Sequence, residues 1–314
     1  MARRRSRLRL YAEYGALRAV VGVLGLLPHA WALACGRAIG RLGHALVASR
    51  RRIAAENLLA VYGDKLSEAE QRRIGRQSFE SLGLLLADFA RMPRLSAAGA
   101  AELVSYEGAE NYLKAVAAGR GILYLTAHFG SWELMPYVQG LMGRPLAFIV
   151  RPADNPLIEA WLKRVREASG CRVIVKRQAF KEVFKALAAG GAVGVLIDQA
   201  VAPSLGVAGT FLGRPAHTTA AVAHIALRTR AAVLPVFLVR EADGLRHRLV
   251  VEPEVELVVS GDRDRDVAVN TERFVRVVEA FVERWPEQWL WCHRRWREPA
   301  AAEAPAEDMA ASEL

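Results

Sequence analysis

The stretch "GILYLTAHFGSWELM", Gly121 to Met135, decides how the chain is read. Its first half is a short apolar run of the kind that forms a strand buried on both faces, and "GSWELM" opens a helix over 131–142. The same change of pattern recurs. "PLAFIVR" (145–151), "CRVIVK" (171–176), "AVGVLID" (192–198) and "AVLPVFLVR" (232–240) read as strands. Helical spacing over 109–118, 155–169, 178–189 and 217–229 fills the intervals. This alternation predicts an α/β fold, with a largely parallel central sheet flanked by helices. "HRLVVEPEVELV" (247–258) predicts an edge strand, where Pro253 costs no interior ladder bond. A helix near 266–284 and the aromatic segment "RWPEQWLWCHRRW" (284–296) close the domain.

Outward from this core, 50–62 and 67–91 carry apolar residues at helical spacing. Ser67 and Glu70 form a capping-box start for the second, and Pro93 follows its end. The sequence from Pro299 to Leu314 is small and acidic and is expected to be disordered. Three regions follow: membrane-associating helices over 1–48, an α/β domain over 49–298, and an acidic tail over 299–314.

Charge sets the first region apart. The 314 residues carry a net charge of +10, and residues 1–52 hold eleven arginines against one acid, Glu13, so the whole excess lies there. The arginines flank "AVVGVLGLLPHAWALACG" (19–36), and cationic residues beside apolar helices suit an anionic membrane surface. Pro28 and His29 interrupt the run near the lower length limit for a span, and apolar periodicity continues past any cleavage site. Two helices, about 8–27 and 29–48, are expected to lie in or dip into the membrane, with the arginines on the cytoplasmic side. The charge has no aromatic interleaving and no recognised motif, which argues against nucleic acid. Three scattered cysteines and no His-Glu-x-x-His spacing predict neither disulfides nor a metal.

In such a sheet, ligands gather at the carboxyl ends of strands. His128 sits at one such end, and Glu133 follows about one helical turn on, where it could orient the ring and stabilise its imidazolium. The pair could equally be ordinary junction residues. Arg151 ends the next strand, placed to bind a phosphate or carboxylate bidentately. Asp198 and Gln199 end a third, followed by a Gly-rich loop running to a helix near His217. Ser131 lacks the Gly-x-Ser-x-Gly elbow of a nucleophile. His217, His224 and His293 are taken as structural, and Trp285, Trp289, Trp291 and Trp296 as core or interface residues.

These segments in order, with "AENLLAVYG", "AHFGSWEL", "VRPADNPLIEAWLKRVR", "DQAVAPSLGVAGTFLGRPAHTTAAVAHIALRT" and "PEQWLWCHRRW", resemble the lipid A biosynthesis lauroyl/myristoyl acyltransferases. Those belong to the wider lysophospholipid acyltransferase superfamily with its His-x4-Asp/Glu signature. The resemblance implies transfer of an acyl chain from acyl carrier protein, or from CoA, to a hydroxyl of an anionic membrane glycolipid, a lipid A precursor. It places the enzyme at the cytoplasmic face of the inner membrane and implies no cofactor beyond the acyl donor. His128 would be the general base and Glu133 its partner. Arg151, Arg164, Asp198, Gln199, Phe211, Gly213 and Arg214 would bind substrate. The N–H groups of Gly130, Ser131 and Trp132 are candidate oxyanion donors. The family often has Asp or Asn after Asp-Gln where this chain has Ala200, which leaves a phosphatidylinositol mannoside or other glycolipid open as acceptor. A hydrolase or thioesterase, or a lipid-binding protein without activity, are the alternatives from other classes.

Overall fold

The computed structural model describes residues 6–175 and 179–296. Five helices come first: α1 (Arg7–Leu26), α2 (His29–Leu46), α3 (Ala48–Tyr62), α4 (Glu68–Arg91) and α5 (Ala97–Leu103). Strands and helices then alternate through β1 (Val104–Glu107), α6 (Ala109–Ala117), β2 (Ile122–Thr126), α7 (Leu134–Leu141), β3 (Leu146–Val150), α8 (Pro156–Glu167), β4 (Arg172–Val175), α9 (Ala179–Ala188) and β5 (Ala192–Leu196). A hairpin of β6 (Gly206–Phe211) and β7 (Arg214–Thr219) precedes α10 (Ala221–Thr229), β8 (Ala232–Arg240), β9 (His247–Val251) and α11 (Arg263–Arg284). The expected α/β architecture is therefore present. The acidic tail from Pro299 and the arginines at positions 3 to 5 lie outside the described residues.

Seven strands form one sheet in the order β1-β9-β8-β2-β5-β3-β4. All neighbours are parallel except β8 and β9. Side chains alternate across it, as a period of two requires. Leu123, Leu125, Val233 and Phe237 join one core with α9, α10 and α11, while Ile122, Tyr124, Leu234 and Val236 join the other with α6, α7 and α8. Every β2 residue is buried, which is why its sequence reads as a continuous apolar run.

Two expectations are corrected. The strand over 247–258 stops at Val251, before Pro253, and lies inside the sheet between β8 and β1, so the edge is β1. The four-residue β1 is too short to show a period. The Gly-rich loop is largely the β6–β7 hairpin, so residues 217–219 belong to a strand and the helix starts only at Ala221.

The N-terminal helices join this body through α4. Ser67 and Glu70 make both halves of the capping box that starts α4. Helix α2 then crosses α4 at Gly36, Gly40 and Gly83, so closely that a β-carbon at Gly40 would collide with the Phe79 carbonyl oxygen. Arg41 Nε donates to Glu80 Oε1 at 2.9 Å, and Arg51 Nη1 caps the carbonyls of His44 and Ala45 at the end of α2. Part of the basic excess is thus spent inside the fold. Among the described residues, no helix is long and apolar enough to cross a membrane.

Candidate active site

Strands β2 and β5 are parallel neighbours, with Thr126 opposite Leu196. Two residues past that pair, both chains leave the carboxyl edge of the sheet together, and His128 faces Asp198. The His128 amide donates to Asp198 Oδ2 at 3.0 Å, and its Nδ1 lies 2.9 Å from Asp198 Oδ1. An ionised carboxylate only accepts, so Nδ1 carries the proton and Nε2 the lone pair. Gln199 Nε2 donates to that Nε2 at 3.1 Å. Asp198 is 2% exposed, and Trp289 Nε1 donates to its Oδ2 at 2.8 Å. Burial pushes the Asp198 carboxyl up, but the His128 charge and the hydrogen bonds from His128 and Trp289 hold it below its ordinary value. Burial likewise opposes charge on His128, yet Asp198, and more weakly Glu133, raise its basicity above 6.5.

The partner of His128 is therefore Asp198 and not Glu133. Glu133 binds Arg166 through both oxygens, Oε2 to Nε at 2.9 Å and Oε1 to Nη2 at 2.5 Å. This ion pair is part of the lining of an otherwise apolar groove between α1, α4 and α8, formed by Leu17, Val21, Leu85, Phe89, Trp161 and Leu162. Glu133 thus faces two ways, lining this groove and adding negative charge near the His128 ring.

The profile of a family described as "Bacterial lipid A biosynthesis acyltransferase" matches residues 3–298. The chain belongs to this family. It is 28% identical over 281 residues to the lipid A biosynthesis palmitoleoyltransferase of Escherichia coli (strain K12), covering 88% of this chain and 89% of that protein. It is 29% identical over 283 residues to the lauroyltransferase of the same organism, covering 88% and 90%. The chain is an acyltransferase of lipid A biosynthesis type.

The remaining residues singled out in the sequence of this acyltransferase fall into two groups. Gly130, Ser131 and Trp132 follow His128 directly, but the Gly130 amide donates to the Gln288 carbonyl and the Ser131 amide to the Leu238 carbonyl. Both are spent, and of the three only the Trp132 amide has no acceptor among the described residues. Gly130, at φ +56, also packs where a β-carbon would strike the Leu238 carbonyl. Arg151 is exposed just past β3, and Arg164 is exposed on the outer side of α8. The α8 arginine that reaches the site is Arg166, two residues on.

The block of Phe211, Gly213 and Arg214 stitches the hairpin down and does not face His128. Phe211 is 1% exposed against Trp289 and Trp296, Gly213 forms the turn at φ +73, and Arg214 Nη1 donates to the Ala60 carbonyl at 3.2 Å. Arg295, also buried, donates to the His217 carbonyl and to Thr218 Oγ1, and burial pushes it down to about 10.

Sequence reasoning gave no place to a second buried cluster, below the 128–131 turn. Ser131 Oγ donates to Asp88 Oδ2 at 2.5 Å, Arg240 Nη2 donates to both groups, and His247 Nε2 lies 3.0 Å from Ser131 Oγ. Burial opposes the Asp88 charge, but Arg240 and its other partners hold the carboxyl far below its ordinary value. His247 is fully buried and burial lowers its basicity. Its Nδ1 has no partner, so the ring is neutral with the proton on Nε2. Ser131 and Asp88 meet the same ring nitrogen, so this is no nucleophilic relay. An acid in the apolar face of α4, "GLLLADFAR", was the available sign. Among the described residues, no group of three His, Cys, Asp or Glu is arranged to hold a metal.

Proposed function

We propose that the protein moves a fatty acyl chain from acyl carrier protein, or from CoA, to a hydroxyl of a lipid A precursor at the cytoplasmic face of the inner membrane. The observation that carries this reading is His128, with Nδ1 tied to Asp198 and Nε2 directed to Gln199, and with the charge of Glu133, a residue lining an apolar groove, acting on its ring. The acceptor hydroxyl replaces Gln199 at Nε2 and gives up its proton as its oxygen attacks the thioester carbonyl. Asp198 fixes the tautomer and stabilises the imidazolium. The tetrahedral oxyanion forms near the start of α7, where the Trp132 amide is the free donor. Collapse expels the thiolate, which takes the proton from His128.

Glu133 contributes negative charge near the imidazole and anchors Arg166 in the lining of the proposed acyl groove. Arg151, exposed just past the end of β3, would meet the phosphates of the acceptor or the phosphopantetheine of the donor, with Arg164 exposed further along α8.

Membrane attachment rests on the outer surfaces of α1 and α2. Leu26, Trp31, Leu42 and Leu46 are exposed, Trp31 by 68% and Leu46 by 71%. Between the two helices runs an entirely apolar groove lined by Val20, Val23, Leu27 and Ile39. Arg7 and Arg9 on α1 and Arg50 and Arg52 on α3 are exposed, and such charge next to the helix pair suits an interface with anionic lipid and an acidic carrier protein.

The test is transfer from labelled acyl carrier protein with a lipid A precursor and a phosphatidylinositol mannoside offered in parallel. Labelled lipid A precursor supports the proposal. Labelled mannoside would move the acceptor, and donor hydrolysis indifferent to acceptor would replace transfer with thioesterase chemistry.

A further inference from the structure

We infer that Trp289 is a positioning residue for the base, acting through Asp198: its indole N–H holds one carboxylate oxygen so that the other is presented to His128. The inference rests on the reading of His128 as the general base.

The two oxygens of Asp198 are used unequally. Oδ2 accepts two N–H groups, the Trp289 indole at 2.8 Å and the His128 amide at 3.0 Å. Among the described residues, Oδ1 meets only the His128 ring, at 2.9 Å. With Oδ2 pinned from two sides, the carboxylate plane cannot turn, and Oδ1 stays on the imidazole. A buried Trp needs a partner for its N–H, and here the partner is a 2%-exposed carboxylate.

The indole is itself fixed. Trp289 is 1% exposed and packs edge-on to Trp291 at 4.7 Å, with Phe211 at 5.3 Å and Trp296 at 6.1 Å. Its backbone bridges to Phe129, and Gly130 donates to the Gln288 carbonyl, so the two residues that follow His128 are tied to the same segment. The aromatic cluster is therefore more than core filling. It carries a hydrogen bond to the one carboxylate that contacts the base.

The consequence is a set basicity. An N–H on Oδ2 draws electron density from Oδ1 and weakens its hold on the imidazolium. The other charged groups around the pair are Glu133 at the start of α7, His293 and Arg295 in the closing segment, and Arg50 of α3 acting on His293. Apart from His128 itself, none of them makes a hydrogen bond to Asp198, so the indole is the side-chain donor whose loss can be isolated.

The experiment is the pH profile of kcat/KM for full-length wild type, Trp289→Phe and His128→Ala, with lipid A precursor as acceptor. Trp289→Phe keeps an aromatic ring and removes the N–H. The acid limb should move upward by about half a pH unit or more, with kcat reduced at its plateau. A lower plateau with the limb unmoved or moved down would reduce Trp289 to packing and overturn the inference. His128→Ala serves the other question: retained transfer there sinks the general base itself. Should Trp289→Phe fail to fold, the wild-type indole resonance decides. It should titrate with the His128 midpoint, and an indole signal fixed across that titration would refute the coupling.

Discussion

Asp198 Oδ1 lies 2.9 Å from His128 Nδ1, although seventy residues of chain separate the two, while Glu133, five residues from the histidine, is held by Arg166. Sequence proximity and spatial pairing diverge here because β2 and β5 are adjacent and parallel. Their ends leave the sheet at one level, and the short tie runs between strands.

The pH dependence of transfer follows from that pairing. In the proposed mechanism deprotonated His128 is the active form, and Asp198 and Glu133 raise its basicity above 6.5 against the effect of burial. Activity should rise with pH through a limb above 6.5. Glu133→Gln removes one of the raising charges, so its limb should fall, and a limb below 6.5 in the wild type would contradict the assignment.

The proposed acyl groove makes a length prediction. Val21 of α1 and Trp161 of α8 both line it. Val21→Trp fills the space and should depress transfer of long-chain donors several-fold more than short-chain ones. Equal loss across a donor series would place the acyl chain elsewhere.

The buried Asp88–Arg240 contact should carry stability. Breaking a buried pair from one side costs about 3–5 kcal/mol, so Asp88→Asn should lower the midpoint of urea unfolding markedly. The sign with pH is also set. A carboxyl held below 3.8 stabilises above its unfolded pKa and loses that contribution as pH falls through the depressed folded value. The gap between wild type and variant should be full at neutral pH and close only in strong acid.

Membrane binding should depend on Trp31 and Leu46. A buried large apolar side chain is worth roughly 1.5–3 kcal/mol, so Trp31→Glu with Leu46→Glu should reduce sedimentation with anionic liposomes by roughly a hundredfold. Sedimentation unchanged by this pair would remove α2 from the interface.

Much of the fold was legible because its information is local. Strands β2, β3, β5 and β8 are buried on both faces and, like the edge strand β4, stand out as apolar runs, and Ser67 and Glu70 announce the start of α4. What stayed hidden depends on pairing. The four residues of β1 carry no pattern, and without β1 the strand over 247–251 looks like an edge. The β6–β7 hairpin turns at Leu212 and Gly213, both at positive φ, inside a stretch whose glycines read as loop. His128, Asp198 and Gln199 were each visible as strand-end residues. That Asp198 faces His128 required the strand order. Arg166 was missed for the neighbouring Arg164 because one helix face differs from the next by two positions.

The most direct measurement compares single-turnover acyl transfer to a lipid A precursor by Asp198→Asn and Glu133→Gln, each confirmed as folded. The His128–Asp198 account predicts that Asp198→Asn loses about 10²–10⁴-fold while Glu133→Gln stays within about tenfold of wild type. Near-normal transfer by Asp198→Asn beside an inactive Glu133→Gln would contradict it and return the partner role to the residue on α7's threshold.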